Sequence, residues 1–165
     1  MNKIFLFLSI AIFLILSYSC EQHESISMYQ TDPLYKVLKE RNYFVDEVDT
    51  ILAVRGETAS LQIVVKAQEE VREMKASVKE IVSEDGHTTL SGAEAGWVGY
   101  VRVGRSYSPS SRDIIRSASD YFPDPILTDS AFSVMAGEVQ PLWISIPIDT
   151  LVEPGIYKGI VTISG

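Results

Sequence analysis

The sequence predicts an all-β protein: an antiparallel β-sandwich, immunoglobulin-like or jelly-roll-like, preceded by a cleaved signal segment. Three observations carry that expectation. Apolar residues recur with a period of two in short runs, most clearly in TASLQIVVKA (58–67) and PLWISIPI (141–148), the spacing that places alternate side chains on one face of a strand. Turn residues separate the runs, as at Asp85-Gly86, Gly137 and Glu153-Pro154-Gly155. No stretch between them reads as a helix long enough to cross over between parallel strands.

The chain opens with MNKIFLFLSIAIFLILSYSC. One cation, Lys3, precedes an apolar run from Ile4 to Leu16 that only Ser9 interrupts. That run falls short of the roughly 20 residues of a bilayer-spanning helix, and it fits the core of a signal peptide over residues 1–19. Ser17-Tyr18-Ser19-Cys20 resembles the lipobox of bacterial lipoproteins, in which the cysteine is lipidated and becomes the new N-terminus; Ser17 stands where such boxes usually carry Leu. Cys20 is the only cysteine, so no disulfide forms within the chain. The alternative to lipidation is a stray thiol liable to intermolecular pairing. The lipobox resemblance implies a lipid anchor at Cys20, membrane lipid as a partner and a bacterial cell-envelope location, at the outer membrane or cell surface.

The chain has 14 basic and 22 acidic side chains and a net charge of −8, and Lys3 is the one basic residue ahead of Cys20. Its few cations are scattered, so no phosphate-neutralising surface is available and nucleic acid is excluded as a partner. Residues 20–165 have the length of one domain.

Taken in order, residues 20–33 are polar and aperiodic and read as a lipidated N-terminus and tether, with the sandwich domain over 34–165. Pro33 can start a short helical turn or two over 33–41, where Leu34, Val37 and Leu38 have helical spacing. In 58–67, Ala59, Leu61, Ile63, Val65 and Ala67 share an inward face, with Thr58, Ser60, Gln62, Val64 and Lys66 outward. Met74, Ala76 and Val78 point inward from the next strand, and Asp85-Gly86 turns the chain beside an exposed His87. Trp97, Gly99, Val101 and Val103 alternate with Val98, Tyr100 and Arg102. A helical turn is expected ahead of Pro123, which would stop it. In the last pair of strands, Leu142, Ile144, Ile146 and Ile148 share one face, and Tyr157, Gly159, Val161 and Ile163 share another. Pro147 places its strand at an edge or a bulge, because proline has no N–H for the ladder.

Chemistry is sparse. The sequence holds no HExxH zinc pattern, phosphate-binding loop, dinucleotide fingerprint or GxSxG elbow. No cofactor, metal or catalytic residue is therefore expected. Asp120, Asp124 and Asp129 flank YFPDPILTD and read as turn or surface carboxylates rather than a glycosidase pair. Trp97, Tyr100, Tyr121 and Trp143 are the candidates for packing on a neighbouring domain or stacking on a glycan.

LYKVLKE, VRGETASLQIVV, YFPDPI, QPLWISIPI and PGIYKGIVTI, in that order, resemble the N-terminal β-sandwich domain of glycoside hydrolase family 123 and related uncharacterised bacterial lipoproteins. The resemblance covers about residues 34–165 and rests on Arg55-Gly56-Glu57 with Gln62, Phe122-Pro123-Asp124-Pro125, Gln140 to Trp143, and Pro154-Gly155 with Tyr157 and Gly159. Val139 stands where family members often carry Asn. In that family a (β/α)-barrel follows the sandwich and carries the catalytic acid and a carboxylate that orients the substrate's N-acetyl group. Its chemistry is hydrolysis of β-linked N-acetylgalactosamine. The resemblance implies a non-catalytic accessory domain of a membrane-anchored β-N-acetylgalactosaminidase-like hydrolase, with a C-terminal catalytic barrel missing from this chain as partner. The alternative is an autonomous glycan-binding or surface-interaction lipoprotein. An aromatic cluster beside an open groove would favour that alternative; a flat apolar patch centred on Trp97 or Trp143 would favour docking.

Overall fold

A computed structural model describes residues 25–39, 50–104, 120–128 and 130–165. Cys20 and His23, the far end of 33–41, Asp129 and most of the stretch ahead of Asp120 lie outside the described residues. Within them the fold is an antiparallel β-sandwich with no helix. Eleven strands form it: β1 (Ile26–Thr31), β2 (Thr58–Ala67), β3 (Val71–Val78), β4 (Ile81–Ser83), β5 (Thr89–Leu90), β6 (Glu94–Val103), β7 (Asp120–Thr128), β8 (Phe132–Val134), β9 (Val139–Pro147), β10 (Tyr157–Lys158) and β11 (Val161–Ser164).

The first layer is a five-stranded sheet ordered β1-β2-β9-β6-β7. Alternate residues are apolar along β2 and in β9 from Leu142 to Ile146, and the two strands pair without a slip from Thr58↔Pro147 to Lys66↔Val139. The second layer is two three-stranded pieces, β10-β4-β5 and β11-β3-β8. They are continuous through β3–β4: the Lys79 N–H donates to the Ile160 carbonyl and the Glu84 N–H to the Ile156 carbonyl, both at 2.8 Å. The core lies between the layers. Ala59, Val65 and Ala67 of β2, Trp97 of β6 and Leu142, Ile144 and Ile146 of β9 meet Met74 of β3, Ile81 of β4, Leu90 of β5 and Val134 of β8. The Trp97 and Phe132 rings join the layers, with centroids 6.1 Å apart. Burial of these side chains is the main favourable term holding the layers together.

Several expectations are corrected. Residues 26–31 are not tether: they form β1, an edge strand paired with β2 from Ile26↔Ala67 to Thr31↔Gln62. No helix forms over 33–39. Leu34 is exposed while Val37 and Leu38 are both buried, as suits a single turn, closed by the Tyr35 N–H to the Asp32 carbonyl at 3.0 Å, that leads into a strap and not a one-faced helix. Pro123 does not end a helix but sits inside β7. Nor does Pro147 mark an edge or a bulge, since β9 is the central strand of its sheet. Pro147 is its last residue and lies past the final β6 partner, Glu94↔Ser145, where a missing N–H breaks no bond.

The Asp85-Gly86 turn forms as expected. Gly86, with φ of 77°, donates its N–H to the Ser83 carbonyl at 2.8 Å. The prolines of Phe122-Pro123-Asp124-Pro125 coincide with a register shift: Val98 faces Ile126 and Tyr100 faces Pro123. Three steps on β7 thus match two on β6, a β-bulge on an edge strand. A second bulge lies between Val71 and Met74 opposite β8, where Glu73 adopts φ of 52°.

Candidate functional site

The residues that make this sequence recognisable serve the fold. Arg55-Gly56-Glu57 is a turn: Gly56 has φ of +86°, its N–H donates to the Ile148 carbonyl at 2.8 Å, and the Glu57 carboxylate accepts the Val54 N–H at 2.6 Å. A left-handed backbone of this kind favours glycine. Near the C-terminus, the Tyr157 hydroxyl donates to the Glu153 carbonyl at 2.7 Å and closes the Glu153-Pro154-Gly155 turn. Gly159 lies against Ile81; a Cβ there would stand 2.7 Å from Ile81 Cγ1.

The two glutamines are buried clamps. Gln62 is read from its spacing as outward, and it does face away from the core, yet it is 3% exposed. The strap over residues 32–39 covers it. Its amide nitrogen donates to the Asp32 carbonyl at 3.2 Å and the Tyr35 carbonyl at 3.0 Å. Val64 on the same face is buried with Val37 and Val139, against which Tyr29 packs. The strap is held further along by the Val139 N–H to the Lys39 carbonyl at 3.3 Å, by the Tyr100 hydroxyl to the Val37 carbonyl at 3.2 Å and by a Lys39–Glu138 ion pair at 3.2 Å.

Gln140 performs a different task. Ile148 exchanges backbone bonds with Gly56 and Glu57 beside β2, so by the two-residue period the N–H and carbonyl of residue 141 point the other way, towards β6. Pro141 has no N–H to give. The Val98 carbonyl accepts instead from the Gln140 amide at 2.6 Å. A side chain replaces a missing rung of the ladder.

Of the aromatic candidates, Trp97 faces the core, while Tyr100, Tyr121 and Trp143 lie on the opposite face of the same sheet. Trp97 is 1% exposed, which corrects its reading as a contact residue: no ring face is left for a glycan or a partner domain. Its indole N–H has no hydrogen-bond partner among the described residues. Tyr100 is half-buried under the strap. Trp143 is half-buried on the sheet face that carries Gln62, its partner in the ladder. Tyr121 is exposed and stands opposite Arg102 on the β6–β7 pair. Instead of centring on either Trp, exposed apolar side chains occur along that pair, with Val101, Val103 and Leu127 on the Trp97 face and Ile126 on the other. Spacing could not reveal this, because it shows which residues share a face but not where the opposing layer stops.

Asp120 accepts the Tyr121 N–H at 2.7 Å, Asp124 is exposed in the β7 bulge, and Glu138 pairs with Lys39. No group of three or more His, Cys, Asp or Glu suited to a metal ion occurs among the described residues. An open depression is lined by Arg72, Glu73, Lys75, Ser133, Ser164 and Gly165, without an aromatic face. Arg72 is engaged by Glu70 through two bonds of 2.8 and 3.1 Å. That hydrogen bond holds the Glu70 carboxyl below its usual range.

The structure thus defines a β-sandwich module whose distinctive residues are turns and clamps. The Glycoside hydrolase 123 N-terminal domain profile matches residues 29–165, and the chain belongs to that family. Among solved structures, a family 123 glycoside hydrolase from Clostridium perfringens, analysed for glycolipid glycan hydrolysis, shares the fold with a TM-score of 0.54 at 24% identity. The match covers 68% of this chain and 19% of that enzyme. No curated protein matches the sequence.

Proposed function

We propose that this chain is the non-catalytic N-terminal domain of a membrane-anchored family 123 glycoside hydrolase, and that it supports a C-terminal catalytic barrel. The family match over 29–165 is the single observation that carries this reading. It is supported by the small share, 19%, of the Clostridium perfringens enzyme that the domain covers. The side-chain chemistry agrees: the described motif residues are committed to turns and clamps, and exposed Val101, Val103 and Leu127 on one face of β6–β7 offer a surface for a neighbouring domain. The whole protein would cleave β-linked N-acetylgalactosamine from glycans, glycolipid glycans included. Cys20 would carry the lipid that holds it at the cell envelope, close to such substrates.

Sequencing the locus beyond the codon for Gly165 tests this directly. An in-frame barrel with a paired-carboxylate site, whose full product hydrolyses a β-linked N-acetylgalactosaminide, is the expected result. Calorimetry on residues 21–165 is the second arm. Saturable heat with N-acetylgalactosamine oligosaccharides, and no barrel downstream, would replace this reading with an autonomous glycan-binding lipoprotein.

A further inference from the structure

We infer that one end of the sandwich is turned to the membrane: the end formed by Ser25, Gln68 and the Met135–Glu138 turn. The inference rests on the lipid anchor at Cys20 proposed above. The domain starts almost at the anchor. The Gln68 N–H donates to the Ser25 carbonyl at 2.8 Å, and from Ile26 onward the chain is bonded into β2. Five peptide steps separate Cys20 from Ser25, a reach of at most about 18 Å even when fully extended. A bound of this kind holds whatever path those residues take.

Sheet geometry then orders the rest of the molecule. The Gly137 N–H donates to the Ala67 carbonyl at 2.9 Å, so the 135–138 turn shares the tethered end. From Ala67, β2 runs to Thr58, which pairs with Pro147; nine steps of about 3.3 Å make that end about 30 Å more distant. Leu151, 86% exposed, lies beyond it. The tethered end presents exposed Glu69 and Glu70 and, in its turn, Met135, 53% exposed. That end stands at the headgroups, and the Leu52–Glu57 and Asp149–Gly155 loops point into the surrounding medium.

The test uses the full, lipidated chain in vesicles carrying an acceptor-labelled headgroup lipid. With Cys20 blocked by lipid, a single introduced cysteine, Gln68→Cys or Leu151→Cys, takes a short-range energy-transfer donor. Transfer from position 68 should exceed that from 151 by about twofold or more. Inserting 20 Gly/Ser residues between Glu24 and Ser25 adds about 25 Å of flexible reach and should erase the contrast. Equal or reversed transfer in vesicle-bound protein, or a contrast that survives the insertion, overturns the inference and leaves the anchor standing. A Cys20→Ala chain that still floats with the vesicles removes the anchor itself, and the inference with it.

Discussion

The Gln140 side-chain amide donates to the Val98 carbonyl at 2.6 Å, where the backbone of Pro141 has nothing to offer. A Gln-Pro pair in the middle of a five-stranded sheet is therefore a matched set. Gln140 is 1% exposed, so water cannot replace it. Gln140→Leu should leave a buried carbonyl unpaired and cost about 1–3 kcal/mol. In the Gln140→Leu/Pro141→Ala pair a backbone N–H returns, and a double-mutant cycle in urea should show the second change recovering part of the loss. Strict additivity would contradict the replacement.

Gln62 tests the strap. Gln62→Leu frees the Asp32 and Tyr35 carbonyls and should lower stability by about 1–2 kcal/mol. Its specific mark is local: the Val139 amide, bonded to Lys39 at the far end of the strap, should lose hydrogen-exchange protection more than the Ile144 amide does.

Gly159 and Gly155 separate close packing from turn chemistry. A Cβ at 159 meets Ile81 Cγ1 at 2.7 Å, and Ile81 is buried; a Cβ at 155 has no neighbour nearer than 3.8 Å. Gly159→Ala should cost about 1–3 kcal/mol, while Gly155→Ala stays within about 0.5 kcal/mol. Thermal unfolding of the two variants provides the comparison.

Two exposed carboxyls contribute to the acid response. Asp85 is held below its ordinary range by the Ser83 hydroxyl and then by the His87 N–H, and Glu70 by its bond from Arg72. A depressed folded-state value means stabilisation that is fully present above the unfolded-state titration and fades as pH falls through the folded one. Unfolding midpoints should therefore drop below about pH 4, and the drop should be shallower in Asp85→Ala.

Much of this architecture was legible where a strand has one buried face. The alternation of 58–67 and 141–148 gives β2 and β9 in nearly their observed extents. β1 was not, because an edge strand owes its pairing to its neighbour, and ISMYQT has no strict alternation to announce it. The strap misled for a related reason. Leu34, Val37 and Leu38 have helical spacing, but Val37 is buried by Val64 and Val139, residues remote in sequence. Of the candidate aromatics, the pattern could place Trp97 on a face but could not reveal that Phe132 would close over it.

The β7 bulge has a bearing on how the protein behaves at high concentration. Among the described residues, Asp120–Thr128 is the outermost strand of its sheet, and outermost strands invite further chains to add on and grow fibrils. Pro123, Asp124 and Pro125 put a bend, a charge and two residues without donors into that rim. A chain sliding alongside finds no straight row to zip onto, which opposes edge-to-edge pairing along this rim.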